Sequence, residues 1–194
     1  MNTGEEPRST RARLLDAAAR LVLREGVSRL TLEAAAREAG VSKGGLLYHF
    51  PSKDALIAGM VERQAIERFE RELYERLEHS YSGTGSWTRA YADATFNPRD
   101  AQRDLPLQGG LLAAAANNPA LLDPLRESYK AFQKHTKDDG VDPTLATVVR
   151  LASDGLWFLE LLDLPSIPTD LRQKVFETLL EFAGEQSESR MDSR

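Results

Sequence analysis

The sequence contains no cysteine, which excludes disulfide frameworks, thiolate metal sites and thiol nucleophiles together. Long apolar runs are missing too. No stretch approaches the ~20 uncharged apolar residues that cross a bilayer, and the opening segment Met1 to Arg8 lacks the apolar core of an export signal. A cytoplasmic protein is expected. Strict alternation of β-branched and polar residues is absent, so no strand is predicted. The three histidines, His49, His79 and His135, are isolated from one another, and no His-Glu-x-x-His pattern, phosphate-cradling glycine loop or serine elbow occurs. An enzyme is therefore not expected, nor any catalytic residue, metal or cofactor.

Basic charge is in the minority, with 25 Lys and Arg against 30 Asp and Glu for a net charge of −5 over 194 residues. Its distribution is uneven. Residues 1–58 hold nine basic against seven acidic side chains, net +2, and the remainder holds sixteen against twenty-three. That asymmetry is mild, so any case for a nucleic-acid partner must rest on a motif.

What is present in quantity is helical periodicity. A first helix runs from Ser9 or Thr10, either able to cap it, to about Glu25 before Gly26. Leu14, Ala18, Leu21 and Val22 share one face. Thr31 caps a short helix, Leu32 to Ala39, that Gly40 ends; Ser42 caps a third, which Pro51 closes. A long fourth helix is predicted over 52–80 from the spacing of Leu56, Met60, Ile66, Phe69, Leu73 and Leu77. Five more follow at about 85–97, 100–116, 119–137, 143–163 and 168–185, punctuated by Gly, Pro and Asn pairs. The polar residues 186–194 read as a disordered tail.

Residues 31–50 are two short helices joined by a glycine turn. Ala35 and Ala36 are small where helices cross, Gly40 suits the left-handed bend, and Val41 and Leu46 fill the gap. Such a unit exposes its last helix, here Lys43 to His49, whose diameter fits the major groove of duplex DNA. Gly44 and Gly45 cost ~1 kcal/mol each in helix propensity, which close approach of backbone to DNA would explain. Lys43 can donate to guanine or phosphate; Leu47 is a possible base contact; Tyr48 and His49 reach phosphates. Thr31 and Ser42, and Ser52 with Lys53, sit at helix N-termini that favour phosphate oxygens. A partner-binding helical module without DNA is the competing reading, and it predicts no steep salt dependence.

The run from Leu30 to Gly44, continued by His49-Phe50-Pro51-Ser52-Lys53-Asp54-Ala55-Leu56, resembles the DNA-binding domain of the TetR (tetracycline-repressor-type) family. The resemblance covers about residues 9–58; beyond them only length and helical plan are similar. It implies an all-α fold of about nine helices. An N-terminal helix-turn-helix domain, 9–58, would precede a ligand-binding and dimerisation domain, 59–185. It also implies a homodimer on a palindromic operator, released by a small molecule, with activation the alternative sign. The chain departs from the family in two places: Leu47 stands where a tyrosine is usual, with Tyr48 next, and Gly45 where a β-branched or hydroxylated residue is more common.

Leu145 to Leu162 is apolar nearly all round and implies burial on several sides. With the last helix it predicts a four-helix interface between copies, formed by Val148, Ala152, Gly155 and Leu159 together with Leu171, Val175, Leu179 and Phe182. Tyr91, Phe96, Leu111, Phe132 and Trp157 are candidate ligand-facing residues, though their spacing equally fits plain core packing. Arg150 and Asp154, four apart, mark either a polar pocket contact or an ordinary surface pair. Leu105 to Leu112, weakened by Pro106 and Gly109-Gly110, is the expected switching region.

Overall fold

The N-terminal helices are delimited by hydroxyl caps, each taking an amide three residues ahead. In the computed structural model, which describes residues 9–98, 105–165 and 167–184, Ser9 accepts from Ala12 N at 3.2 Å to start α1, Thr10–Glu25. Thr31 accepts from Ala34 N to start α2, Leu32–Ala39. Ser42 accepts from Gly45 N to start α3, Lys43–His49, and Ser52 from Ala55 N to start α4, Lys53–Val61. Gly40 takes a left-handed backbone, φ 64°, and Val41 N returns to Ala36 O at 2.9 Å, turning α2 into α3. Arg13 completes the turn from α1 by donating to Ala39 O at 2.8 Å.

The remaining helices are α5, Arg68–His79; α6, Ser86–Phe96; α7, Leu105–Asn117; α8, Asp123–Asp138; α9, Pro143–Leu161; and α10, Thr169–Gly184. No strand occurs among the described residues. The single long fourth helix expected over 52–80 is instead α4 and α5 with a π-helical segment, Glu62–Glu67, between them. A 3₁₀ turn, Pro119–Leu122, splits the helix expected at 119–137. Residues 100–104 of the sixth expected helix and the expected tail, 186–194, lie outside the described residues.

The chain divides into two units, the first made of the residues up to Ala65 together with Pro106–Leu125, the second of Ile66–Leu105 and the residues from Arg126 on. The first unit has one core. Leu14, Leu15, Ala18, Leu21 and Val22 of α1 meet Leu46, Phe50, Leu56 and Met60, and Leu107, Leu111 and Ala115 of α7 join the same cluster. The expected switching region is thus unbroken helix, with two of its leucines in this core. Pro106 is tolerated because it stands in the first turn, where its missing N–H has no helical partner to lose.

In the second unit the central element is α6, buried through Trp87, Thr88, Ala90, Tyr91, Ala92, Ala94, Thr95 and Phe96, with α5, α9 and α10 packed on it. Helix α9, expected to be buried on several sides, is buried through Ala146, Val149, Ser153, Leu156 and Leu161 and leaves one apolar stripe exposed in the single chain. Small residues between the aromatics let α6 be surrounded. Arg76 of α5 is 4% exposed, a buried charge satisfied by Asp93 Oδ2 at 2.9 Å, Asn97 O at 2.7 Å and Glu72 O at 3.0 Å. Asp139 caps α6, accepting from Trp87 N and Thr88 N at 3.0 and 2.8 Å.

Candidate nucleic-acid interface and inner polar cluster

Helix α3 is pinned to the first unit by Leu46, which is fully buried, and by Phe50 just past its end. Every other face follows from those anchors. Lys43, Gly44, Leu47 and Tyr48 are exposed, Tyr48 at 85%, while Gly45 and His49 are half-buried. The Tyr48 and His49 rings meet edge to face at 5.1 Å. Thr31, Ser42 and Ser52 are exposed, and Lys53 is half-buried with its ammonium donating to Ser28 O at 3.2 Å.

The two glycines of α3 differ. A Cβ on Gly44 would meet nothing within 4 Å, whereas one on Gly45 would lie 3.0 Å from Val41 Cγ1 and 3.3 Å from Ser42 Oγ. The protein's own turn therefore accounts for Gly45, and open space is left only at Gly44. Lys43 Nζ reaches Glu33 in the first turn of α2 at 2.7 Å, and this hydrogen bond holds the Glu33 carboxyl below its ordinary range. Sequence reasoning did not pair Glu33 with Lys43. It stands ten residues before Lys43, and only the αL turn at Gly40 brings the two together.

In the second unit, Tyr91 and Phe132 come together with ring centroids 5.7 Å apart, joined by Phe69, Trp87 and Tyr129. The other candidate ligand-facing residues do not join them. Phe96 belongs to a separate core, stacked on Phe176 at 5.4 Å. Trp157 is half-buried outside both cores. Leu111 is buried in the core of the first unit. Helical spacing shows that each residue faces inward; it cannot show toward which core.

Arg150 and Asp154 are more than an isolated surface pair. Tyr91 Oη donates to Asp154 Oδ1 at 2.5 Å, Tyr129 Oη to the same oxygen at 3.2 Å, and Arg150 Nη1 to Oδ2 at 3.5 Å. Arg150 Nη2 also donates to Gln133 Oε1 at 2.8 Å, and the guanidinium lies over the Tyr129 ring at 6.0 Å. Burial raises the Asp154 carboxyl despite its Tyr91, Arg150 and Tyr129 partners. Burial, reinforced by Asp154, pushes the Tyr129 phenol up to about 12 and the Tyr91 phenol well above its ordinary value.

Of the expected interface residues, Val148, Gly155 and Leu171 are exposed and Ala152, Leu159, Val175 and Phe182 half-buried. Leu179 is corrected: it is 5% exposed, packed with Phe176 inside the second unit. At 100° per residue it lies about 40° from both Val175 and Ala183, and Ala183 is fully buried. The exposed stripe of α9 adds Leu151, Phe158 and Leu162, which the sequence reading did not select.

These features define an all-helical protein whose first unit is a helix-turn-helix of the DNA-binding type. Residues 14–60 match the family model "Bacterial regulatory proteins, tetR family", and residues 85–184, just over half of the chain, match "Tetracyclin repressor-like, C-terminal domain". The chain belongs to the TetR family. It is 38% identical over 60 residues to the HTH-type transcriptional regulator TtgR of Pseudomonas putida, a match covering 31% of this chain and 29% of that protein. To AcrR of Shigella flexneri it is 37% identical over 71 residues, covering 37% and 33%. These matches thus span about three tenths of the curated relatives' length. A TetR-family structure from Streptomyces coelicolor, SCO1917, superposes with a TM-score of 0.66 at 26% identity, covering 89% of this chain and 98% of that one.

Proposed function

We propose that the protein is a cytoplasmic transcriptional repressor that binds a palindromic operator in double-stranded DNA as a homodimer and leaves it when a small molecule occupies the second unit. The observation that carries this reading is α3, a short helix whose outward residues are Lys43, Gly44, Leu47 and Tyr48, set between hydroxyl-capped helix starts. Lys43 exchanges Glu33 for guanine or phosphate at low cost because both partners of the exposed pair are solvated. Gly44 lets backbone lie against the groove. Thr31, Ser42 and Ser52 each accept an amide internally and keep a hydroxyl hydrogen for phosphate. Tyr48, His49 and Lys53 add phosphate contacts; Gly45 supports the turn.

One such head offers few base contacts, so two are needed. The second copy covers the α9 stripe of Val148, Leu151, Gly155, Phe158 and Leu162 together with the exposed Leu171 of α10. The effector site is the cluster around Tyr91, Tyr129, Phe132 and Asp154. Selection from random duplexes, followed by footprinting, tests the reading. The expected product is two inverted half-sites about one helical turn apart, with affinity falling steeply as salt rises. Failure to retain any duplex at low ionic strength removes the proposal.

A further inference from the structure

The inner cluster of the second unit has an electrical balance and a set of unmet hydrogen bonds that together specify a ligand. Its charges cancel, Arg150 against Asp154, at 3.5 Å. The carboxyl of Glu70 on α5 has its own hydrogen bond with Ser128, and burial together with Glu67 raises it above its ordinary range. A cation entering here meets Arg150 and an anion meets Asp154, so either brings an unbalanced charge into a site with little water to screen it. An uncharged guest avoids that cost.

The unmet groups say what such a guest presents. Among the described residues, three buried side-chain polar atoms lack a hydrogen-bond partner: Trp87 Nε1, Thr88 Oγ1 and Arg150 Nε. All three belong to the second unit, on α6 and α9, which pack together. Two are obligate donors, and the third can donate. Trp87 and Arg150 connect through the cluster: the Trp87 ring lies 5.1 Å from that of Tyr91, whose hydroxyl binds Asp154 beside Arg150. Trp87 itself is 6% exposed. Buried donors without acceptors are costly, and an acceptor oxygen brought by a guest recovers that cost. The surrounding rings of Phe69, Tyr91, Tyr129 and Phe132 favour a flat aromatic body.

We propose that this cluster takes uncharged aromatic compounds bearing a carbonyl or phenolic oxygen, with Trp87 and Arg150 as donors to that oxygen and Asp154 as acceptor for a phenol. The proposal rests on the reading of this cluster as the effector site. It differs from that reading in excluding aromatic cations and anions as preferred ligands.

Three para-substituted benzophenones separate the charge classes: 4-hydroxybenzophenone, 4-benzoylbenzoate and 4-(aminomethyl)benzophenone, the last a primary ammonium ion at the pH used. With the full-length dimer at pH 6.5, calorimetry is expected to show the hydroxy compound binding at least tenfold more tightly than either ion, and it alone should release operator DNA. Equal or tighter binding of either ion overturns the proposal, as does no binding of any of the three. Asp154→Asn should turn the preference toward the carboxylate, and Arg150→Met toward the ammonium compound. If both variants keep the wild-type order, charge balance is not the selector and the proposal falls. Trp87→Phe should weaken the hydroxy compound several-fold while thermal melting stays cooperative. An unchanged affinity removes Trp87 as a donor. Operator binding without any probe is measured separately: its loss would sink the regulator reading, whereas retained operator binding with no charge preference sinks only the ligand class.

Discussion

Gly44 and Gly85 are both glycines near a helix start, and they show opposite reasons for lacking a side chain. A Cβ on Gly44 in α3 would enter open space, while one on Gly85, just before α6, would fall 1.8 Å from Ala183 O and 2.9 Å from Val141 Cγ2 on a backbone at φ 75°. The first unit leaves room for something outside the protein. At Gly85 the second unit's own backbone fills the space. The same contrast holds for charge: the Lys43–Glu33 pair is exposed, whereas Arg150–Asp154 is half-buried and tied to two tyrosines. An exposed pair can change partners with a polyanion; a half-buried one sets the polarity of a small site.

The largest expected effect breaks that comparison from the closed side. Gly85→Ala should destabilise the second unit by about 3 kcal/mol or more, combining left-handed strain with a backbone collision, and urea denaturation reads it. A change within about 0.5 kcal/mol, the range of ordinary surface substitutions, would mean that α6 and α10 are not closely packed there.

Next in size is Phe158→Glu, which puts a charge into the α9 stripe, where Phe158 is half exposed in one protomer. In the proposed symmetric interface each copy would bury one such carboxylate against the other's apolar stripe, so sedimentation should show monomers and operator affinity should fall about a hundredfold. A stable dimer would move the interface elsewhere.

Much of this contrast is visible in the sequence, and unevenly so. The first unit could be read almost residue by residue because its determinants are local: Ser9, Thr31, Ser42 and Ser52 each cap within three residues, and Gly40 and Pro51 end what they appear to end. Its insertion of α7 was not visible, since Leu107 and Leu111 carry the periodicity of any buried helix and nothing local says whose core they join. In the second unit the candidate site was half legible. Arg150 and Asp154 stood out by their i, i+4 spacing on an apolar helix, but Tyr91 lies 63 residues from Asp154, a distance only tertiary packing closes. Leu179 failed for a different reason: stripes on a helix shade into one another, and a residue between two of them goes where the core has space.

The inner cluster can be sharpened by pH. The Tyr129 phenol is pushed up to about 12 in the folded protein, from 10 in the unfolded chain. The stability this contributes is complete below pH 10 and is lost as pH rises through 12, because the unfolded chain releases a proton that the folded one keeps. Thermal or urea melts between pH 10 and 12 should therefore show Tyr129→Phe losing stability less steeply than wild type, by about one proton or ~1.4 kcal/mol per pH unit. Parallel slopes would place the Tyr129 hydroxyl in water.

The smallest effect tests the open side. Gly44 lies inside α3 with no neighbour for a Cβ, so Gly44→Ala should leave packing untouched and stabilise the first unit by up to ~1 kcal/mol through helix propensity alone. The same methyl stands on the outward face beside Lys43 and Leu47. If DNA comes close to the backbone here, operator affinity falls while the melting temperature rises, a divergence that damage to the fold cannot produce. Gly45→Ala supplies the counterpart, since its methyl presses on Val41 and Ser42 and should change stability more than Gly44→Ala does. Should Gly44→Ala stabilise the protein without weakening operator binding, the open space at α3 would have no ligand-related cause and the contrast between the two glycines would lose its functional half.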